Sequence, residues 1–282
     1  MPDHAAFLRT HSTPLAPDPT GLAPALPTID GIRCVAFDIY GTLFISGSGD
    51  IGHSDAGANE RALRDILAAH GIAAPAGDAS LTARFTAAIA ADHDRSRKSG
   101  IDFPEVEIRD IWRELLGDHP DDLIESVAVA YECACNPVWP MPGALDLLTA
   151  LKDRGLALAI VSNAQFYTPF LFEGLLDRSI DDLGFDPDLS FFSCRFKRAK
   201  PSAWLYEQLR DALTAQSIAP EEVLYVGNDA LKDIHPAAQT GFRTALFAGD
   251  RRSLRLREDH PEPLLPPDAI VTALAQIPTL IP

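Results

Sequence analysis

The chain has 282 residues, 46% of them hydrophobic, and a formal net charge of −16. That is enough apolar material for one large domain or a core with a smaller insert. The acidity argues against nucleic acid as a partner, because phosphate backbones are held by clustered Lys and Arg.

Residues 1–30 are rich in Pro and Ala. Pro14, Pro17, Pro19, Pro24 and Pro27 would break any helix or central strand, so an arm lying on the surface or disordered is expected. Arg33 to Asp38 is a short apolar run ending in a carboxylate and is predicted to be a buried strand. From about residue 45 to 138 the pattern changes. Ala58 to His70, Ser80 to Ser96, Pro104 to Leu116 and Asp121 to Cys135 each place apolar residues at helical spacing, with no strand between them. Four such helices suggest a small bundle inserted into the rest of the chain. Beyond it come strand-like runs at Leu156 to Val161, Leu189 to Ser193, Val223 to Val226 and Thr244 to Phe247. Helical patterns at Ala144 to Arg154, Pro201 to Leu213 and Ile234 to Thr240 separate them. The expected fold class is α/β, a Rossmann-like doubly wound parallel sheet with an inserted helical-bundle cap. The arm is residues 1–30, the core 31–44 and 139–282, and the cap 45–138.

No apolar run is long enough to span a membrane. Met1-Pro2-Asp3-His4 does not open a secretory signal. Cys34, Cys133, Cys135 and Cys194 form no disulfide framework, and Cys133-Ala134-Cys135 is too tight for zinc. A cytoplasmic protein is expected.

In a doubly wound sheet the ligand sits at the carboxyl ends of the strands. Those ends carry Asp38-Ile39-Tyr40-Gly41-Thr42, Ser162-Asn163, Lys200-Pro201 and Gly227-Asn228-Asp229 with Asp233 four residues on. A carboxylate nucleophile needs a cation to temper its charge and donors for the oxyanion it attacks.

In this order the residues resemble the four motifs of the haloacid dehalogenase-like hydrolases, over essentially the whole chain after residue 31. The resemblance implies that Asp38 attacks the substrate and forms a covalent aspartyl intermediate. It implies that Thr42 and Ser162 position Asp38 and hold substrate oxygens, and that Lys200 offsets negative charge. Asp38, the backbone carbonyl of Tyr40 and Asp229 would bind Mg2+, and Asp233 would act on the metal through water. Tyr40 and Asn163 would meet the substrate, a small anionic molecule. Lys197 competes with Lys200 for the third motif; Lys200 is chosen because Pro201 suits a first helical turn.

Tyr40 departs from the phosphatase pattern, which has a second aspartate there as general acid and base. A phenol is a poor base for activating water. Asp-x-Tyr-Gly-Thr is similar instead to the 2-haloacid dehalogenases, which displace halide without such an acid or a metal, and which use a cap arginine that Arg61 and Arg64 do not clearly match. The fourth motif keeps Asp229, as phosphatases do. Crowded carboxylates without a cation are costly, and a divalent ion relieves them. This places Mg2+-dependent hydrolysis of a small phosphorylated metabolite first and metal-independent dehalogenation second. A disabled hydrolase acting as a binding protein comes third, resting on Tyr40 alone.

Four weaker signals read blandly. Gly47-Ser48-Gly49-Asp50-Ile51-Gly52 fits a hinge better than a dinucleotide loop. His93, Arg95, Arg97 and Lys98 fit a solvated helix end. His235 fits a helix start, and Trp112 and Trp204 fit the core.

Overall fold

The computed structural model describes residues 2–47, 56–74 and 80–282. The proposed hinge falls largely outside the described residues. Within the expected arm, His4–His11 forms a helix, α1, that the sequence reading does not give. It fits ahead of Pro14. Asp3 caps it, its Oδ1 accepting the Ala6 N–H at 2.8 Å. Two turns are too few to show a periodic stripe or to stand alone. What holds α1 is burial of His4 and Leu8 on its neighbours. The rest of the arm runs over the surface, and Ala25 pairs with Ile270.

Strand β1 (Cys34–Phe37) leads into β2 (Phe44–Ser46). Four helices follow: α2 (Ala56–Ala69), α3 (Leu81–Lys98), α4 (Ile108–Leu116) and α5 (Asp121–Cys135). Strand β3 (Val138–Pro140) then pairs antiparallel with β2, Phe44 opposite Pro140 and Ser46 opposite Val138. The chain therefore leaves for the helical cap and returns from it at adjacent points. Neither of these three-residue strands is legible in the sequence. Inside the cap, α4 buries Ile108, Ile111, Trp112 and Leu115, one stripe at helical spacing. Trp112 meets Phe85 of α3 at 4.5 Å and Tyr131 of α5 at 5.3 Å between ring centroids, which ties three helices together.

The core continues with α6 (Ala144–Asp153), β4 (Ala157–Ser162), α7 (Thr168–Leu176), β5 (Phe185–Phe192) and α8 (Ser193–Phe196). It ends with α9 (Trp204–Ala215), β6 (Val223–Gly227), α10 (His235–Gln239), β7 (Arg243–Phe247), β8 (Ala269–Val271) and α11 (Ile277–Leu280). Helices α7, α8 and α11 and strand β8 are additions to the predicted set. The large sheet is parallel in the order β5-β4-β1-β6-β7-β8. β1 lies at its centre, and the chain winds outward to either side. Alternation sorts the side chains of β1: Val35 and Phe37 enter one core with α6 and α11, while Cys34 and Ala36 enter another with α9. A strand buried on both faces shows as a continuous apolar run, and so these strands were readable.

Helix α1 packs on α7 and also touches α5. Arg9 donates to the carbonyls of Glu173 and Gly174 and pairs with Asp177 at 2.6 Å. The approach is so close that a Cβ on Gly174 would meet the Ala5 carbonyl oxygen at 2.7 Å. This gives a test of sign. Alanine in a helix is worth up to about 1 kcal/mol over glycine, so Gly174→Ala would stabilise α7 if α1 were not seated there. With α1 in place, we expect urea unfolding to show a loss of about 1–3 kcal/mol.

Candidate active site

Three neighbouring strands bring the polar residues together. Phe37 of β1 lies opposite Ile160 of β4 and Val226 of β6. Asp38 follows β1, Ser162 closes β4, and Asn228 follows β6, all at the carboxyl edge. The winding direction reverses there, which leaves a crevice.

Lys200 enters the crevice from the loop before α9. Its Nζ lies 2.8 Å from Asp38 Oδ1 and 2.6 Å from Asp233 Oδ1, and all three side chains are under 10% exposed. Ser162 Oγ donates to the same Asp38 Oδ1 at 2.9 Å. Asp233 Oδ2 accepts the backbone N–H groups of Asn228 and Asp229 at 3.0 and 2.9 Å. Tyr225 OH lies 3.2 Å from Asp233 Oδ1. Only glycine suits position 227, because a Cβ there would stand 2.5 Å from the Asp233 side chain. Burial works against the Lys200 charge, but Asp233 and Asp38 outweigh it and hold the ammonium above its ordinary value. Burial, with Asp38 and Asp229 near, pushes the Asp233 carboxyl up to about 6 despite Lys200.

The helix after Lys200-Pro201 begins at Trp204, three residues later than the motif suggests, so Pro201 is not its first turn. Asn163 compensates: its Oδ1 accepts the Lys200 N–H at 2.8 Å and its Nδ2 donates to the Lys200 carbonyl. Lys197 lies elsewhere, half-exposed and 3.4 Å from Asp110. Thr42 is fully buried and donates to Asn228 Oδ1 at 3.2 Å. Among the described residues neither Thr42 nor Ser162 lines the cavity beside Asp38. Both side chains are fully buried.

Asp229 departs furthest from expectation. Arg257 grips it with two contacts, Nη2 to Oδ2 at 2.6 Å and Nε to Oδ1 at 3.2 Å. Its Oδ1 also accepts the N–H groups of Leu231 and Lys232, capping the turn Ala230–Ile234. Although burial opposes ionisation, Arg257 and these donors hold the Asp229 carboxyl below its usual range. A magnesium ion needs about six oxygens in near-octahedral array. Of the residues expected to hold one, Asp229 is spanned by a guanidinium, Asp233 is saturated, and Asp38 gives Oδ1 to Lys200 and Ser162. These residues do not fit the ion. Among the described residues no group of three or more His, Cys, Asp or Glu could hold a metal.

A cavity of about 200 Å3 opens over Asp38 and Lys200. Tyr40 and Asn163 line it, as do Glu105 and Glu132 from the cap side and Gln165 and Tyr167 from the loop after β4. Tyr40 OH lies 3.0 Å from Thr168 Oγ1. Burial, then Glu132, raises its pKa far above the ordinary phenol value, so it is no base. The basic patch is remote: Arg95 and Arg97 pair with Asp92 and Asp94 on an exposed helix end. His235 Nδ1 accepts the Leu265 N–H at 3.0 Å. Trp112 is core, while Trp204 is half-buried.

The haloacid dehalogenase-like hydrolase family matches residues 32–241. The chain belongs to that family. It is an enzyme, a hydrolase. No curated protein matches it significantly in sequence. Among solved structures it is similar to a 2-haloacid dehalogenase from Pseudomonas syringae pv. tomato, with 21% identity, TM-score 0.56, and 88% of this chain and 97% of that one covered. It is also similar to a HAD phosphatase from Thermococcus onnurineus, with 18% identity, TM-score 0.51, and 87% and 96% covered. At such identity the likeness is one of fold, and both chemistries are represented in it. In the described part of this hydrolase no helix is long and apolar enough to cross a membrane.

Four contributors to the site are not found from sequence, Tyr225, Arg257, Glu105 and Glu132, and Asn228 is named there only as part of the fourth motif. Asn228 stands directly after β6, and its side chain, not that of Asp229, meets Thr42. The signal for it was adjacency to the strand end. The central ion pair has a measurable weight. Lys200→Ala leaves two buried carboxylates facing each other, and we expect denaturant unfolding at neutral pH to show a loss of about 3–5 kcal/mol.

Proposed function

We propose that this hydrolase works without a metal, displacing a leaving group such as halide from a saturated carbon through an ester on Asp38. The observation that carries this reading is the two-point grip of Arg257 on Asp229. The protein's own guanidinium supplies the positive charge that a cation would bring to that carboxylate. Tyr40 supports it, because displacement of a halide requires no general acid.

The chemistry follows from the donors. Lys200 and Ser162 both bind Oδ1 of Asp38, which leaves Oδ2 to attack. In the first step the Oδ2–carbon bond forms, the carbon–halogen bond breaks, and halide departs with the electron pair. In the second step water attacks Cγ of the ester. Negative charge then develops on Oδ1, where the ammonium of Lys200 and the hydroxyl of Ser162 already point, an oxyanion hole in place before the reaction. The carbon–oxygen bond of the Asp38 ester to the carbonyl breaks, the product alcohol leaves, and the carboxylate returns. One proton of the attacking water passes to the departing oxygen and the other to solvent, while ionised Asp233 keeps the Lys200 ammonium in place beside Oδ1.

Three outcomes are expected. Chelator-treated protein releases halide at an undiminished rate, measured by ion chromatography, while Asp38→Asn releases none. Catalysis needs Asp233 ionised, and its carboxyl is pushed up to about 6. The pH–rate profile should therefore fall as pH drops through about 6, not through the usual carboxylate range. Magnesium should leave the melting temperature of the wild type unchanged but raise that of Arg257→Ala, whose Asp229 is released from the guanidinium. If chelation stops wild-type turnover and phosphate esters are hydrolysed, Mg2+-dependent phosphatase chemistry replaces this proposal.

A further inference from the structure

The walls of the cavity differ in charge. Among the described residues the core sets Lys200, Lys232 and Arg255 beside Asp38, Asp229 and Asp233, whereas the cap contributes Glu105 and Glu132. We propose that Glu132 is an ammonium-binding subsite, so that the substrate is a small alkyl compound bearing a protonated amine as well as the leaving group. This rests on the displacement reading for the chemistry at Asp38, but not for the binding of the amine.

Glu132, in α5, is held from two sides. Tyr167 OH donates to its Oε2 at 3.0 Å, and Asn136 Nδ2 donates to its Oε1 at 3.0 Å. Asn136 is fixed in turn by Ser46, whose Oγ donates to Asn136 Oδ1 at 2.8 Å. All these donors are neutral, so they orient the carboxylate without balancing its charge. Among the described residues no Lys, Arg or His is paired with it. Each carboxylate oxygen has a further lone pair. Burial raises the Glu132 pKa despite both hydrogen bonds, which is the condition of a carboxylate lacking a counter-ion. Glu105 also takes neutral donors, Ser193 Oγ at 2.8 Å and Gln165 Nε2 at 3.3 Å, but has the charge of Lys232 near it. The rings of Tyr40 and Tyr167 line the same cavity and favour a cation over an anion. A 2-haloacid would bring its carboxylate to a wall that already carries two. A protonated amine there removes the repulsion and gives Glu132 the charged partner it lacks.

The experiment compares short bromoalkyl compounds of equal length ending in ammonium, hydroxyl or carboxylate. The expected order of kcat/KM is ammonium, then hydroxyl, then carboxylate, with about ten- to a hundredfold between the first two, the range of one charge-assisted hydrogen bond. In Glu132→Gln that preference should collapse to within about threefold, and Glu132→Asp should restore part of it. A preference for the carboxylate overturns the proposal. So does a parallel loss on ammonium and hydroxyl substrates in Glu132→Gln, the mark of a purely structural role. Thermal shift with propylammonium and with propionate separates the two claims. If no bromide is released from any compound, the displacement reading fails. The subsite still stands if propylammonium stabilises the wild type more than propionate does, and falls if it does not.

Discussion

One buried ammonium holds this candidate site in register. Lys200 stands between Asp38 and Asp233, with both contacts under 3 Å and all three groups out of water. Neither carboxylate could remain ionised there alone, and the two together would repel. The consequences reach the backbone. Asp233 gathers the N–H groups of residues 228 and 229, fixing the turn after β6. Asn163 clasps both backbone polar groups of Lys200, fixing the approach of the loop before α9. Three strand ends and one loop are thereby locked by a single charge. In such a site the preorganisation that speeds a reaction and the pairing that permits burial are the same contacts.

Around that centre, neutralisation is local and one-sided. Asp229 is balanced by Arg257, which arrives from far along the chain, and Asp38 and Asp233 share Lys200. The core half of the cavity has thus matched its charges internally. The cap half is matched less fully: Glu132 rests on hydroxyl and amide donors alone, and Glu105 on hydroxyl, amide and backbone donors with Lys232 near. A cap placed over a sheet edge gives a fold the freedom to set recognition apart from chemistry, and here the core half is matched in charge while the cap half keeps an unmatched carboxylate.

The fold was readable where physics writes it locally. Strands buried on both faces leave unbroken apolar runs, and α4 leaves a stripe at 108, 111, 112 and 115. What escaped was short or held by tertiary contact. Helix α1 and the strands β2, β3 and β8 are too brief to carry a period, and α7 is apolar nearly all round, with Phe, Leu and Gly in place of a polar face. In the site, residues at strand ends could be found because topology converges there. Asp229 could be located but not its partner, since Arg257 lies 28 positions away and no local pattern announces it. The same limit hid Glu132. A glutamate on an amphipathic helix reads as solvent-facing until the packing of Tyr167 and Asn136 against it is known.

Helix α1 belongs to neither layer alone. It lies on α7 of the core and reaches α5 of the cap, and Leu8 and Ser12 line a small pocket whose walls also include Tyr40 and Glu132. An enzyme whose cap must swing to admit substrate ordinarily depends on its linker strands for the stiffness of that motion. Here a third tether crosses the seam beside the cavity. Any swing of the cap would have to peel α1 from α5 or draw it off α7, and would carry the extra activation barrier of that contact. The turnover number would then be governed in part by a helix that touches no reactant.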